Sequence, residues 1–128
     1  MSWNRLEDIQ IWHLAREVCQ DVWILTRTDE FREDPGLRRQ MLNSSGSMMD
    51  NVAEGFERGS NGEFRSFLGY AKGSSGELRS QLIRSEDRGF VTHEESGRIA
   101  SKIIQFSKQC KALIGSLKSR DQRGFRLH

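Results

Sequence analysis

An all-α fold, an antiparallel up-down-up-down four-helix bundle, is what this sequence predicts, and three observations predict it. Apolar residues recur three and four positions apart along four long segments, the spacing that keeps side chains on one face of a helix. Capping residues punctuate these segments at Asp34-Pro35, Ser60 to Glu63, Arg88-Gly89 and Thr92 to Glu95. The connections between them are short, which makes sequential helices antiparallel neighbours. The chain has 128 residues and a single proline, so it reads as one domain that buries roughly two-thirds of its unfolded surface.

The first helix is expected from about Glu7 to Thr28. Its apolar residues cover about half the circumference on a wheel turning ~100° per residue. Ile11, Leu14, Val18, Val22 and Leu25 form one side of that sector; Trp12, Cys19 and Trp23 form the other. Three neighbours in one bundle require less apolar surface than this. The second helix opens on an acceptor side chain followed by proline, Asp34-Pro35, and stops near Gly55 to Gly59. Leu37, Met41, Met48, Val52 and Phe56 make its core stripe. Beside that stripe runs a polar seam: Gln40, Ser44, Ser47, Asn51, Glu54 and Arg58 follow the 4-3-4-3-4 spacing that normally belongs to apolar residues.

The third helix begins at a Ser-x-x-Glu capping box, Ser60 to Glu63, and ends at Arg88-Gly89, where glycine supplies a left-handed cap. Phe64, Phe67, Ala71, Ser75, Leu78 and Leu82 are its expected core stripe. Opposite them gather Gly69, Gly73, Gly76 and Ser80. Glycine costs a helix about 1 kcal/mol relative to alanine, so three in mid-helix suggest close approach of another backbone. The fourth helix opens on a second box, Thr92 to Glu95, and continues through Ile99, Ile103, Phe106, Cys110, Leu113 and Leu117. The bundle is expected to span residues 1 to 118, with 119 to 128 as a basic, loosely held tail that lacks apolar periodicity.

The net charge of +2 conceals a gradient. Residues 1 to 30 carry three basic against six acidic side chains, and residues 91 to 128 carry eight against three. A basic end of this kind suits a polyanion. Lys108, Lys111, Lys118, Arg120, Arg123 and Arg126 are the candidate nucleic-acid contacts, since each phosphate neutralised releases condensed counterions; a solvated helix face is the plainer alternative. The wide apolar sector of the first helix, the glycine face and Ile104 together suggest self-association, with Trp12, Trp23, Gly69, Gly73, Gly76 and Ile104 as the candidate interface. The polar seam admits three readings: a solvated face, an internal network around Asn51, Glu54 and Arg58, or a ligand site. Glu54 has no partnered acid or histidine at a spacing that would make an acid–base pair.

No catalytic constellation is apparent. His13, His93 and His128 are scattered, so no metal site and no cofactor is expected. Gly73 to Gly76 lacks the lysine of a phosphate loop and sits inside a helix. The serines between Asn43 and Ser47 have no neighbouring base. Cys19 and Cys110 fall on apolar faces, where free cysteine packs as a small hydrophobe. No apolar run approaches the roughly 20 residues of a membrane span, and no signal-peptide region opens the chain, so a cytoplasmic, membrane-free protein is expected.

Particular strings carry a family resemblance. Asn-Val-Ala-Glu-Gly-Phe-Glu-Arg at residues 51 to 58 is followed by Glu63-Phe64-x-x-Phe67-Leu68-x-x-Ala71-x-Gly73-Ser74-x-x-Glu77-Leu78. With Leu6-x-x-Ile9-x-Ile11-Trp12-x-x-Ala15 and Gly36-Leu37-x-x-Gln40, these resemble the four-helix-bundle proteins encoded in intervening sequences of bacterial 23S ribosomal RNA genes. The resemblance implies a homopentamer, five bundles forming a barrel with a central channel. It also implies kinship with the accessory variability protein of diversity-generating retroelements, a basic barrel that binds nucleic acid and a reverse transcriptase. The expected function is therefore a non-enzymatic, oligomeric nucleic-acid-binding or scaffolding protein associated with an rRNA intervening sequence or a retroelement. The alternative is a protein–protein adaptor whose basic end meets an acidic partner.

Overall fold

The structure, a computed structural model, describes residues 3–122. Four helices follow one another: α1 (Gln10–Leu25), α2 (Pro35–Glu57), α3 (Asn61–Asp87) and α4 (His93–Gln122). Short 3-10 turns precede α1 at Leu6–Asp8 and α2 at Asp29–Glu33. Each helix packs against its two neighbours, α1 on α2, α2 on α3, α3 on α4 and α4 back on α1, which closes the ring of a bundle.

Local chemistry explains the boundaries. The Asp8 carboxylate accepts from the backbone N–H groups of Asn4 and Arg5, which winds a separate 3-10 turn, and Ile9 is extended before α1 begins. The first helix is therefore shorter than the expected span from Glu7 to Thr28. At its far end the Thr26 hydroxyl and N–H both bond the Val22 carbonyl, 2.8 and 3.0 Å away. Asp34 caps α2 by accepting from the Leu37 N–H. Ser60 caps α3 by accepting from the Glu63 N–H, and Thr92 and Glu95 exchange both bonds of a capping box ahead of α4. Gly59 and Gly89 adopt φ of +81° and +76° behind α2 and α3. At Gly89 the bonds from Gly89 N–H to the Glu86 carbonyl and from Phe90 N–H to the Ser85 carbonyl form a Schellman cap.

The core is assembled from the expected stripes with three exchanges, one of them on α2, where Gly55 is buried and the expected Phe56 only half-buried. Val18, Val22, Met41, Met48, Val52, Ile103, Phe106, Cys110 and Leu117 are sealed from solvent. On α3, Leu68 is the buried residue and Phe67 is only half-buried. On α1, Ala15 is buried while Leu14 stays half-buried. Phe67 instead packs over Gly55 of α2. A Cβ added to the buried Gly55 would lie 2.7 Å from the Phe67 Cβ and 3.0 Å from Phe64 Cδ1, so glycine is what lets the helices meet there.

The expected boundary at residue 118 falls inside α4. Ser119, Arg120 and Asp121 continue the helix, because Asp121 is tied to α3: it accepts from Asn61 Nδ2 at 2.8 Å and pairs with Arg65 at 3.1 Å. Arg123 and Arg126 lie outside the described residues.

Candidate nucleic-acid interface

α4 turns its apolar stripe inward, so the residues half a turn away must face outward. Lys108, Lys111 and Lys118 are exposed, opposite the buried Ile103, Phe106, Cys110 and Leu117. No Asp or Glu occurs between Ser96 and Arg120, an interval with six basic residues: Arg98, Lys102, Lys108, Lys111, Lys118 and Arg120. They do not act together. Lys102 turns toward α1 and bonds Asp21 at 2.8 Å, with Glu17 at 3.7 Å; these carboxylates hold its ammonium above the usual lysine range. Arg120 is half-buried and lies about a third of a turn or more from the three lysines. Of the six candidate contacts, the structure thus groups Lys108, Lys111 and Lys118. Beside Lys108, a shallow recess of ≈ 410 Å³ is floored by Ile104 and Ala112 and edged by Ser101, Gln105 and Gln109.

The polar seam of α2 is split rather than networked. Asn51 Nδ2 donates to the Ser47 carbonyl of its own helix at 2.8 Å. Glu54 pairs with Arg58 at 2.9 Å, and Arg58 also reaches Glu63 at 3.4 Å and stacks on the Phe67 ring. Gln40 accepts from Arg84 across the groove at 3.0 Å, and Ser44 is buried beside it. This end of the seam opens into a polar groove of ≈ 540 Å³ shared with Glu77, Ser80 and Gln81 of α3. Sequence reasoning missed Gln81, which is buried with its Oε1 unpartnered.

The candidate interface residues divide in two. Gly69, Gly73 and Gly76 are exposed, and a Cβ added to any of them meets nothing within 4 Å, so among the described residues no backbone approaches this face. Ile104 and Trp12 are half-buried. The far side of α1 is occupied by contacts that its spacing did not announce. Arg16 lies over the Trp12 ring, and Arg27 and Arg38 both lie over Trp23, 5.5 and 5.1 Å from its centroid. Cys19 donates its thiol to the Ser45 carbonyl at 3.0 Å.

Burial pushes the Cys19 thiol up and that of Cys110 to about 12, which suppresses the thiolate at neutral pH. Among the described residues no group of three His, Cys, Asp or Glu is placed to hold a metal ion. No helix among them is long and apolar enough to cross a membrane.

Residues 7–112 match the model of a family described as 23S rRNA-intervening sequence protein. Among solved structures, a protein of unknown function from Bacteroides thetaiotaomicron, described as belonging to the S23 ribosomal protein family, superposes with a TM-score of 0.73. The two are 18% identical, over 81% of this chain and 97% of the other, which is a likeness of fold. No curated protein matches the chain.

Proposed function

The chain belongs to the 23S rRNA-intervening sequence protein family, and from that premise we propose that it is a non-enzymatic, homo-oligomeric nucleic-acid-binding protein whose contact surface is the outer face of α4. One observation carries the reading: Lys108, Lys111 and Lys118 share that face, and the helix holds no carboxylate from Ser96 to Arg120. Surface lysines on a helix are ordinarily offset by acidic neighbours three or four positions away. Here no carboxylate lies within four positions of Lys108 or Lys111, Asp121 near Lys118 is taken up by Asn61 and Arg65, and the charge of the face is available to phosphates. Repetition of the face around a closed oligomer multiplies the effect, because each further contact forms at high effective concentration. A reverse transcriptase is the proposed protein partner if the gene lies in a retroelement. A gene within a ribosomal RNA intervening sequence would point instead to the transcript it interrupts.

Binding to structured RNA, followed by fluorescence anisotropy across a salt series, tests the reading. Affinity should depend weakly on sequence and fall steeply with salt, since released counterions drive it. On B-form DNA the logarithmic slope should become shallower by about 0.9 for each lysine contact removed. Neutralising Lys108, Lys111 and Lys118 to glutamine should therefore flatten the slope and leave helical circular dichroism unchanged. An unchanged slope would remove the contact surface from α4. A protein without nucleic-acid affinity at low salt would be the protein–protein adaptor instead.

A further inference from the structure

At the other end of the bundle, where α1 hands over to α2, a recess of ≈ 310 Å³ has three arginines in its wall, Arg27, Arg32 and Arg38, beside Thr28 and Phe31. Among the described residues no carboxylate lines it. This is the end at which Phe31 meets Phe90, ring centroids 5.1 Å apart, and Arg88 pairs with Asp34. Lys118 lies 25 positions beyond the first residue of α4, about 38 Å along the helix at 1.5 Å per residue, so the recess is no extension of the far end of the lysine face.

Two of the guanidiniums are held ready. Arg27 and Arg38 lie over the Trp23 ring, 5.5 and 5.1 Å from its centroid, and Arg38 Nε donates to the Thr26 carbonyl at 3.0 Å. That bond and the ring fix the Arg38 head while engaging only one of its five N–H donors. Among the described residues no carboxylate lies within 4 Å of Arg27 or Arg38, whereas Arg5, Arg65 and Arg88 each have one and Arg58 has two. Arg32 has only Asp29 at 3.5 Å, a pair whose side chains are 84% and 88% exposed and which therefore exchanges readily with water. A planar fork that is anchored, stacked and unneutralised loses little entropy when it engages an oxyanion.

The geometry points to a phosphoryl-binding site formed by Arg27, Arg32 and Arg38 at the α1–α2 junction. Three guanidiniums around one recess exceed what a single carboxylate neutralises, and they match a tetrahedral dianion with three acceptor oxygens. The exposed carboxylates of Asp29, Glu30 and Glu33 lie on the adjacent 3-10 turn and oppose long-range attraction. Recognition thus depends on the forks at close range, unlike the salt-driven contact assigned to α4. The phosphoryl group can belong to a nucleic-acid backbone or to a small phosphorylated molecule, and the site stands whether or not the α4 reading does.

The test is a titration of the whole protein, labelled with fluorotryptophan, with pyrophosphate at constant ionic strength. The Trp23 resonance, assigned from Trp23→Phe, should shift saturably while those of Trp3 and Trp12 stay put. Arg27→Gln and Arg38→Lys should each weaken binding by about tenfold, the loss of one charge-assisted bond or of the fork; Lys108→Gln should leave it unchanged. The Arg27 side chain makes no hydrogen bond among the described residues, so its variant keeps the test valid if Arg38 variants unfold. Absence of a saturable shift at millimolar pyrophosphate, equal shifts of all three resonances, or full affinity in Arg27→Gln would each overturn the site. Structured RNA that competes with pyrophosphate identifies the occupant as a backbone phosphate. RNA that leaves the pyrophosphate signal unchanged identifies a small phosphorylated ligand.

Discussion

Within the bundle it is Gly55 that requires glycine for packing, and not Gly73, where close approach of a backbone was expected. At Gly55 a methyl group would lie 2.7 Å from the Phe67 Cβ, which moves only with the backbone, and 3.0 Å from the Phe64 ring at Cδ1. Gly55→Ala gains about 1 kcal/mol of helix propensity, but forcing a methyl into that contact costs about 1–3 kcal/mol. Net destabilisation is expected, as a lower denaturant midpoint at unchanged slope. Asn51 gives the opposite expectation. It is half-buried and bonds only the Ser47 carbonyl one turn back, an acceptor that the helix already uses. Asn51→Ala should therefore change stability by no more than about half a kcal/mol in urea. A loss of ~2 kcal/mol would mean that Asn51 holds a buried partner after all.

Helix ends show which interactions a sequence declares. Thr92 and Glu95 exchange two bonds, Thr92 N–H to the carboxylate at 2.8 Å and Glu95 N–H to the hydroxyl at 3.0 Å. Thr92→Ala should cost about 1 kcal/mol of stability. The Thr92 backbone N–H, then its hydroxyl, holds the Glu95 carboxyl below its ordinary value of 4.5. A depressed folded value means that the contribution is complete above about 4.5 and is lost as pH falls through the lower, folded value. Melting temperature followed from neutral down to about pH 3 should fall less steeply for Glu95→Gln than for the natural chain. Such caps were legible, as were the core stripes, because each relates residues within two turns of one another. Asp34, Ser60, Gly59 and Gly89 were legible for the same reason. Spacing cannot say which neighbour covers a given flank. It therefore left out the contact of Gly55 with Phe67, the placement of Arg38 over Trp23 and the anchoring of Asp121 by Asn61, 60 positions away. The lysine face of α4 was visible as charge and the helical wheel sets Arg120 apart from it; the pairing of Lys102 with Asp21 required knowing where α1 lies.

Large apolar side chains remain uncovered on two helices that occupy opposite corners of the ring. Ile24 and Trp23 on α1 are 68% and 49% exposed, and Tyr70 and Ile83 on α3 are 61% and 52% exposed. Two different faces of this kind suit head-to-tail contact between copies. Such an interface builds a ring where its rotation closes, and an open filament where it does not, rather than a two-fold dimer. In a closed oligomer of the kind proposed, the α3 corner of one copy would meet the α1 corner of the next. Tyr70 and Ile83 flank Gly69, Gly73 and Gly76 on a wheel of ~100° per residue, so the glycine face would lie within the contact. Gly73→Leu separates assembly from folding. The monomer has open space there, since nothing lies within 4 Å of an added Cβ, and leucine favours a helix over glycine by up to about 1 kcal/mol. The isolated bundle should therefore unfold no earlier than before. Between copies, the same side chain would hold two backbones apart. Light scattering at micromolar concentration should give the natural protein a multiple of 14.8 kDa and the variant a mass shifted toward that of one chain. A natural protein that stays at 14.8 kDa would remove the ring, and a variant that assembles undiminished would place the contact on another face.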